Sequence, residues 1–185
     1  MLVALDLSCA AIGVSWYLFG AQAALLYGSA RLTADVDVTV LLGDVSTEAL
    51  VAALAGEGFE LRISDPAFVA ATRVIPVVHR ATGFPTDVVL GGPGLEELFL
   101  SRASRRSVGG TRIPVVSAED LIVMKILAGR DKDKEDVRAV VRAGQATLKL
   151  DTIRTTIAML EEALGQSDLM PLFDELLTQA TARRG

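Results

Sequence analysis

A chain of 185 residues, 51% hydrophobic and 22% charged, has room for one ordinary domain with or without a helical extension, and its composition excludes the disordered and fibrous classes. The formal net charge of -5 excludes a globally basic nucleic-acid binder, although a local basic surface stays open. The single cysteine, Cys9, excludes an internal disulfide framework and suits a reducing cytoplasm, where a buried thiol behaves as a small apolar residue.

The start of the chain is apolar, with Asp6 its only charged side chain before Arg31. No Lys or Arg precedes the run, and Gly13, Ser15, Trp16 and Gly20 interrupt it, so a buried helix and strand are expected rather than a signal peptide or a membrane span. A cytoplasmic protein without a membrane partner follows as the expectation. The pattern predicts a helix from Leu2 to about Gly13, a strand over Trp16 to Phe19, a helix over Ala21 to Tyr27 stopped by Gly28, and a Val-rich strand over Val36 to Leu42.

Ser46 or Thr47 can cap a helix running to Leu54, and Glu60 to Ser64 reads as a third strand. After a segment led by Pro66, strands over Val74 to His79 and Thr86 to Leu90 are joined by a Gly83-Phe84-Pro85 turn and should pair as a hairpin. A helix over Leu95 to Ser104 precedes a basic patch at Arg102, Arg105 and Arg106, a Gly109-Gly110 break and a short strand over Arg112 to Val116. Ser117 and Asp120 form a start resembling a capping box, and from Asp133 onward the apolar spacing is helical throughout. The expected architecture is α+β: a mixed sheet with helices over residues 1–115 and a helical region over 116–185.

The chemistry concentrates between residues 19 and 38. Gly20 stands between a strand and a helix, where the absence of a side chain lets phosphate oxygens approach the backbone N–H groups. Asp35 and Asp37, one residue apart at the mouth of a strand, direct their carboxylates to one face, where they repel unless a cation joins them. Mg²⁺ is the natural cation, because it takes carboxylate oxygens and bridges triphosphate oxygens as well. Asp87, at the polar start of Thr86-Asp87-Val88-Val89-Leu90, is the candidate third carboxylate, able to complete the metal set or take a proton from an attacking hydroxyl.

This arrangement resembles the nucleotidyltransferase superfamily with a DNA polymerase β-like palm. Gly20-Ala21-Gln22-Ala23, Tyr27-Gly28, Arg31, Thr33 and Asp35-Val36-Asp37, joined to the block from Lys125 to Asp136, are similar to bacterial nucleotidyltransferases of the AbiEii toxin type. The resemblance implies transfer of a nucleoside monophosphate from an NTP to an acceptor hydroxyl, with tRNA as acceptor, a cognate antitoxin as partner and Mg²⁺ as cofactor. It assigns Asp35 and Asp37 to metal-ligand positions, Gly20 to the phosphate turn and Lys125 to a helical lysine facing the triphosphate, and it matches Asp133 and Asp136 to downstream acids of the family.

Arg31, Thr33, Arg130, Asp133 and Asp136 join Gly20, Ala21 and Lys125 as expected nucleotide contacts. For Arg130, Lys132 and Asp133, a solvated turn between two helices is the other reading. Ala21 departs from the family pattern, in which a serine hydroxyl often follows the glycine. Small-molecule (antibiotic) nucleotidylation and a degenerate, non-catalytic binding subunit are the alternative functions. His79, the only histidine, is expected to be structural, and Gly91-Gly92-Pro93-Gly94 is expected to be a turn rather than a dinucleotide fingerprint.

Overall fold

A computed structural model describes residues 1–182. The chain forms two compact units, Met1–Gln22 with Thr33–Val116, and Ala23–Leu32 with the chain from Ser117 onward. The segment 23–32, expected within the first region, is therefore part of the helical unit.

The first unit is built on a seven-stranded mixed sheet. Its strands are β1 (Ser15–Phe19), β2 (Val36–Leu41), β3 (Phe59–Leu61), β4 (Val74–His79), β5 (Pro85–Leu90), β6 (Ser104–Val108) and β7 (Thr111–Val115), in the order β3-β4-β5-β2-β1-β7-β6. β2 runs parallel to β5 and β1 parallel to β7, while the remaining neighbours are antiparallel. The class is α+β, with helices α1 (Leu2–Ala11), α3 (Thr47–Gly56), α4 (Pro66–Thr72) and α5 (Leu95–Arg102) in this unit, and α2 (Gly20–Leu26) starting directly from the end of β1.

Alternation explains the central strands. Val36, Val38 and Val40 are all buried on one side of β2, leaving Asp37 on the other. Ser46 Oγ accepts the Ala49 N–H at 3.2 Å and starts α3, which buries Leu50 and Leu54 and packs against α1. Asp6, the lone charge of α1, accepts from Trp16 Nε1 at 3.0 Å and pairs with Arg105 at 2.7 Å, which accounts for an acid inside an apolar helix.

Two elements depart from the sequence expectation. The segment led by Pro66 is the helix α4, with Pro66 in its first turn and Asp65 as N-cap accepting the Ala67 N–H at 2.9 Å. The basic patch is largely the edge strand β6, paired with β7 through Gly109 and Gly110, whose φ values of 56° and 83° give the left-handed pair that a two-residue hairpin requires. Ser104-Arg105-Arg106-Ser107 is exposed throughout, so no apolar alternation marked it as a strand.

The second unit consists of α6 (Ala118–Ala128), α7 (Asp131–Gly144), α8 (Leu150–Leu164) and α9 (Leu169–Thr181), together with the loop after α2. Val137, Val140, Ile153, Ile157, Phe173 and Leu176 supply its core. Ser117 caps α6, accepting the Asp120 N–H at 3.1 Å, and Gly129 closes it with φ 64°. Among the described residues no helix is long and apolar enough to cross a membrane.

Candidate active site

The two central strands bring the first unit's acids together. β1 and β2 pair Phe19 with Asp37, and β2 and β5 pair Asp37 with Asp87. Residues in register on neighbouring strands share a face about 4.8 Å apart, so the Asp37 and Asp87 side chains stand side by side. Asp35, two residues before Asp37 and exposed, lies just ahead of β2, where the Thr33 hydroxyl donates to its Oδ1.

Gly20 touches this face. Its φ is +69°, and a Cβ built there would lie 2.0 Å from Asp37 Oδ2, so only glycine fits between the end of β1 and that carboxylate. Ala21 follows in the first turn of α2 with its side chain buried, so what it offers a ligand there is backbone.

The donor chemistry of Asp35 and Asp37 fits a hard divalent ion: both ligands are carboxylates, one exposed and one half-buried, next to a backbone turn without a side chain. The expected metal set of Asp35, Asp37 and Asp87 is not gathered in full, since no group of three or more metal-ligating acids, histidines or cysteines forms among the described residues. Asp87 is ion-paired with Arg62. The sequence gives no signal for Arg62, a lone arginine after a three-residue strand.

The second unit gathers the remaining candidates into a different structure. Lys125 Nζ donates to Asp133 Oδ1 at 3.1 Å and to Asp136 Oδ2 at 2.7 Å, and all three side chains are buried. Arg130 closes on Asp133. Ser29 donates to Asp136 Oδ1 at 2.6 Å and Arg31 to Asp136 Oδ2 at 3.1 Å, so the loop after α2 is tied to α7. Burial alone would raise the carboxyl pKa values, but hydrogen bonds and charge outweigh it. Asp133 is held below the usual carboxylate range by Arg130 and Lys125, and Asp136 by Lys125, Ser29 and Arg31.

Lys125, expected to face the triphosphate, is 5% exposed, and its ammonium is bonded to two buried carboxylates, an arrangement that joins α6 to α7. Arg31, Arg130, Asp133 and Asp136 belong to the same network, which settles the solvated-turn alternative against Asp133, although Lys132 is exposed.

His79 is structural, as expected: it is buried, within 2.9 Å of the Thr82 hydroxyl and against the Phe59 ring. The Cys9 thiol is pushed up to about 12 by burial and then by the Asp6 charge, which leaves it inert.

A mixed sheet carrying an Asp-x-Asp strand beside a glycine turn is the fold of nucleotidyltransferases, and the chain has that fold. Residues 93–169, less than half of the chain, match the family described as "Nucleotidyl transferase of unknown function (DUF2204)". Among solved structures, the antibiotic-resistance factor ANT(2'')-Ia is similar with a TM-score of 0.57 at 14% identity, covering 89% of this chain and 93% of that one. An antigenic nucleotidyltransferase-like protein from Paracoccidioides brasiliensis gives 0.54 at 18% identity over 93% and 90% of the two chains. The lincosamide antibiotic adenylyltransferase LnuA, bound to lincomycin, gives 0.50 at 16% identity over 75% and 92%. At these identities the likeness establishes the fold. A comparison with curated protein sequences gives no match.

Proposed function

We propose that the protein transfers a nucleoside monophosphate from an NTP to an acceptor hydroxyl with the help of Mg²⁺. The observation that carries this reading is the single face on which Gly20 abuts Asp37 while Asp37 stands in register with Asp87. Asp35 and Asp37 would hold the ion, which when bound neutralises triphosphate charge. Thr33 orients Asp35 by its hydrogen bond. Gly20 and Ala21 offer backbone N–H groups to phosphate oxygens, without the hydroxyl that a serine at position 21 would add.

Asp87 takes the proton of the acceptor hydroxyl as that oxygen attacks the α-phosphate and pyrophosphate departs. Lys125, Asp133, Asp136, Arg31 and Arg130 serve by fixing the loop after α2, not by touching the nucleotide.

A small cationic hydroxyl compound is the favoured acceptor. The net charge of -5 suits such a molecule, and two of the similar structures are described as an antibiotic-resistance factor and an antibiotic adenylyltransferase. The second reading, a toxin acting on tRNA with a cognate antitoxin, draws on the exposed Arg105 and Arg106 of β6.

Incubation with each labelled NTP, Mg²⁺ and either aminoglycosides and lincosamides or total RNA tests both. Label on a small acceptor supports the first reading and label on tRNA-sized RNA the second. NTP binding without transfer to any acceptor points to a non-catalytic binding subunit. Transfer that survives Asp37→Asn removes the proposed site.

A further inference from the structure

One row of residues crosses four strands on the carboxylate face. Asp37 is paired with Asp87 across β2 and β5, Asp87 with Pro76 across β5 and β4, and the Arg62 N–H continues the β3–β4 ladder by donating to Pro76 O at 2.8 Å. Arg62, Pro76, Asp87 and Asp37 therefore lie side by side. That side chain is held at two points: Nε donates to Val77 O at 3.1 Å and Nη2 to the Asp87 carboxylate.

An exposed lysine–carboxylate pair is a weak restraint, because a long flexible side chain must be ordered to make it. The Arg62 fork is different, since one of its nitrogens is fixed on backbone and the other is thereby aimed at Asp87. Two carboxylates on adjacent strands beside a divalent ion would otherwise both be drawn to it, as Asp35 and Asp37 are expected to be.

We propose that Arg62 partitions the three acids, holding Asp87 out of the metal set so that Asp35 and Asp37 bind the ion and Asp87 is kept for the acceptor proton. Arg62 is thus a positioning residue that acts through Asp87. This inference rests on the nucleotidyltransferase reading of the same face. Its consequence runs against intuition: removing Arg62 strengthens metal binding while it harms proton transfer, because Asp87 is released to become a third ligand.

The test is an electron paramagnetic resonance titration of free Mn²⁺, as the probe ion, against the full-length protein and its variants. Arg62→Gln is expected to bind Mn²⁺ about tenfold more tightly, the scale on which an added ligand charge tunes such sites. That gain is expected to vanish in Arg62→Gln/Asp87→Asn, and Arg62→Lys, which keeps the charge but lacks the two-point fork, is expected to retain most of the gain. An unchanged or weakened affinity in folded Arg62→Gln, or a gain that persists in the double variant, overturns the proposal.

Should Arg62→Gln fail to fold, Asp87→Asn alone decides. Mn²⁺ affinity within about twofold of wild type supports the partition, and a loss of about tenfold or more shows Asp87 to be a ligand already. Asp37→Asn separates the two levels of argument. If Asp37→Asn abolishes Mn²⁺ binding while Arg62→Gln changes nothing, only the role of Arg62 falls; if Asp37→Asn binds as wild type, the metal site falls and this proposal with it.

Discussion

Gly20 and Asp37 are placed so that a Cβ at position 20 would lie 2.0 Å from Asp37 Oδ2 and 2.7 Å from its Cγ. Real Cβ atoms do not approach an oxygen that closely, so a side chain at 20 must displace the carboxylate. The φ of +69° adds a second obstacle, since L residues other than glycine rarely adopt it.

Gly20→Ala is accordingly expected to lose about 1–3 kcal/mol of stability, the usual cost of a residue held in a sparsely populated backbone region. Its larger effect should be on function, because Asp37 is pushed off its place. Urea unfolding gives the first quantity and Mn²⁺ titration the second. Wild-type metal affinity in a folded Gly20→Ala variant would separate the glycine from the site.

Lys125→Met leaves two buried carboxylates, Asp133 and Asp136, facing each other without the ammonium that joins them. Breaking a buried ion pair from one side costs about 3–5 kcal/mol, so this single change should be among the most destabilising in the second unit. Adding Asp136→Asn should cost less than the sum of the two singles, because the charge stranded by the first substitution is removed by the second. Strict additivity in urea unfolding would contradict the network.

Acid sensitivity follows from the same residues. Burial works to raise the Asp133 and Asp136 pKa values, but their hydrogen bonds and charged neighbours prevail and hold both below the ordinary value. A folded pKa below the unfolded one, about 3.9, means that the unfolded chain binds protons first as the pH falls. The stabilisation is complete well above about pH 4 and is lost as the pH drops through the folded values. The thermal midpoint should fall steeply below about pH 4, and Lys125→Met should flatten that dependence, since buried carboxylates that have lost their shared ammonium lose less by protonation.

Local rules made much of this protein legible. Valine at alternate positions of β2 announced a strand with Asp37 on its open side, and Ser46 and Ser117 announced the starts of α3 and α6. Asp87 could be selected because a polar residue at the head of an apolar strand is itself a local pattern. β6 has no such signal, because an edge strand exposed on both sides carries no alternation, and Gly109-Gly110, a break by sequence alone, is a hairpin turn.

By itself the amino-acid order determined which residues are candidates for chemistry: the glycine after β1, the acids one residue apart, and the acid opening a later strand. Which of them act together was decided only by the tertiary structure. Strand register set Asp87 beside Asp37 and stretched Arg62 across β4 to reach it, while helix packing enclosed Lys125 between two acids. The physical reason is range: caps, turns and alternation act within a few residues, whereas an ion pair such as Arg31–Asp136 or Arg62–Asp87 exists only once distant segments have been brought into contact, and burial then fixes what each charge can do.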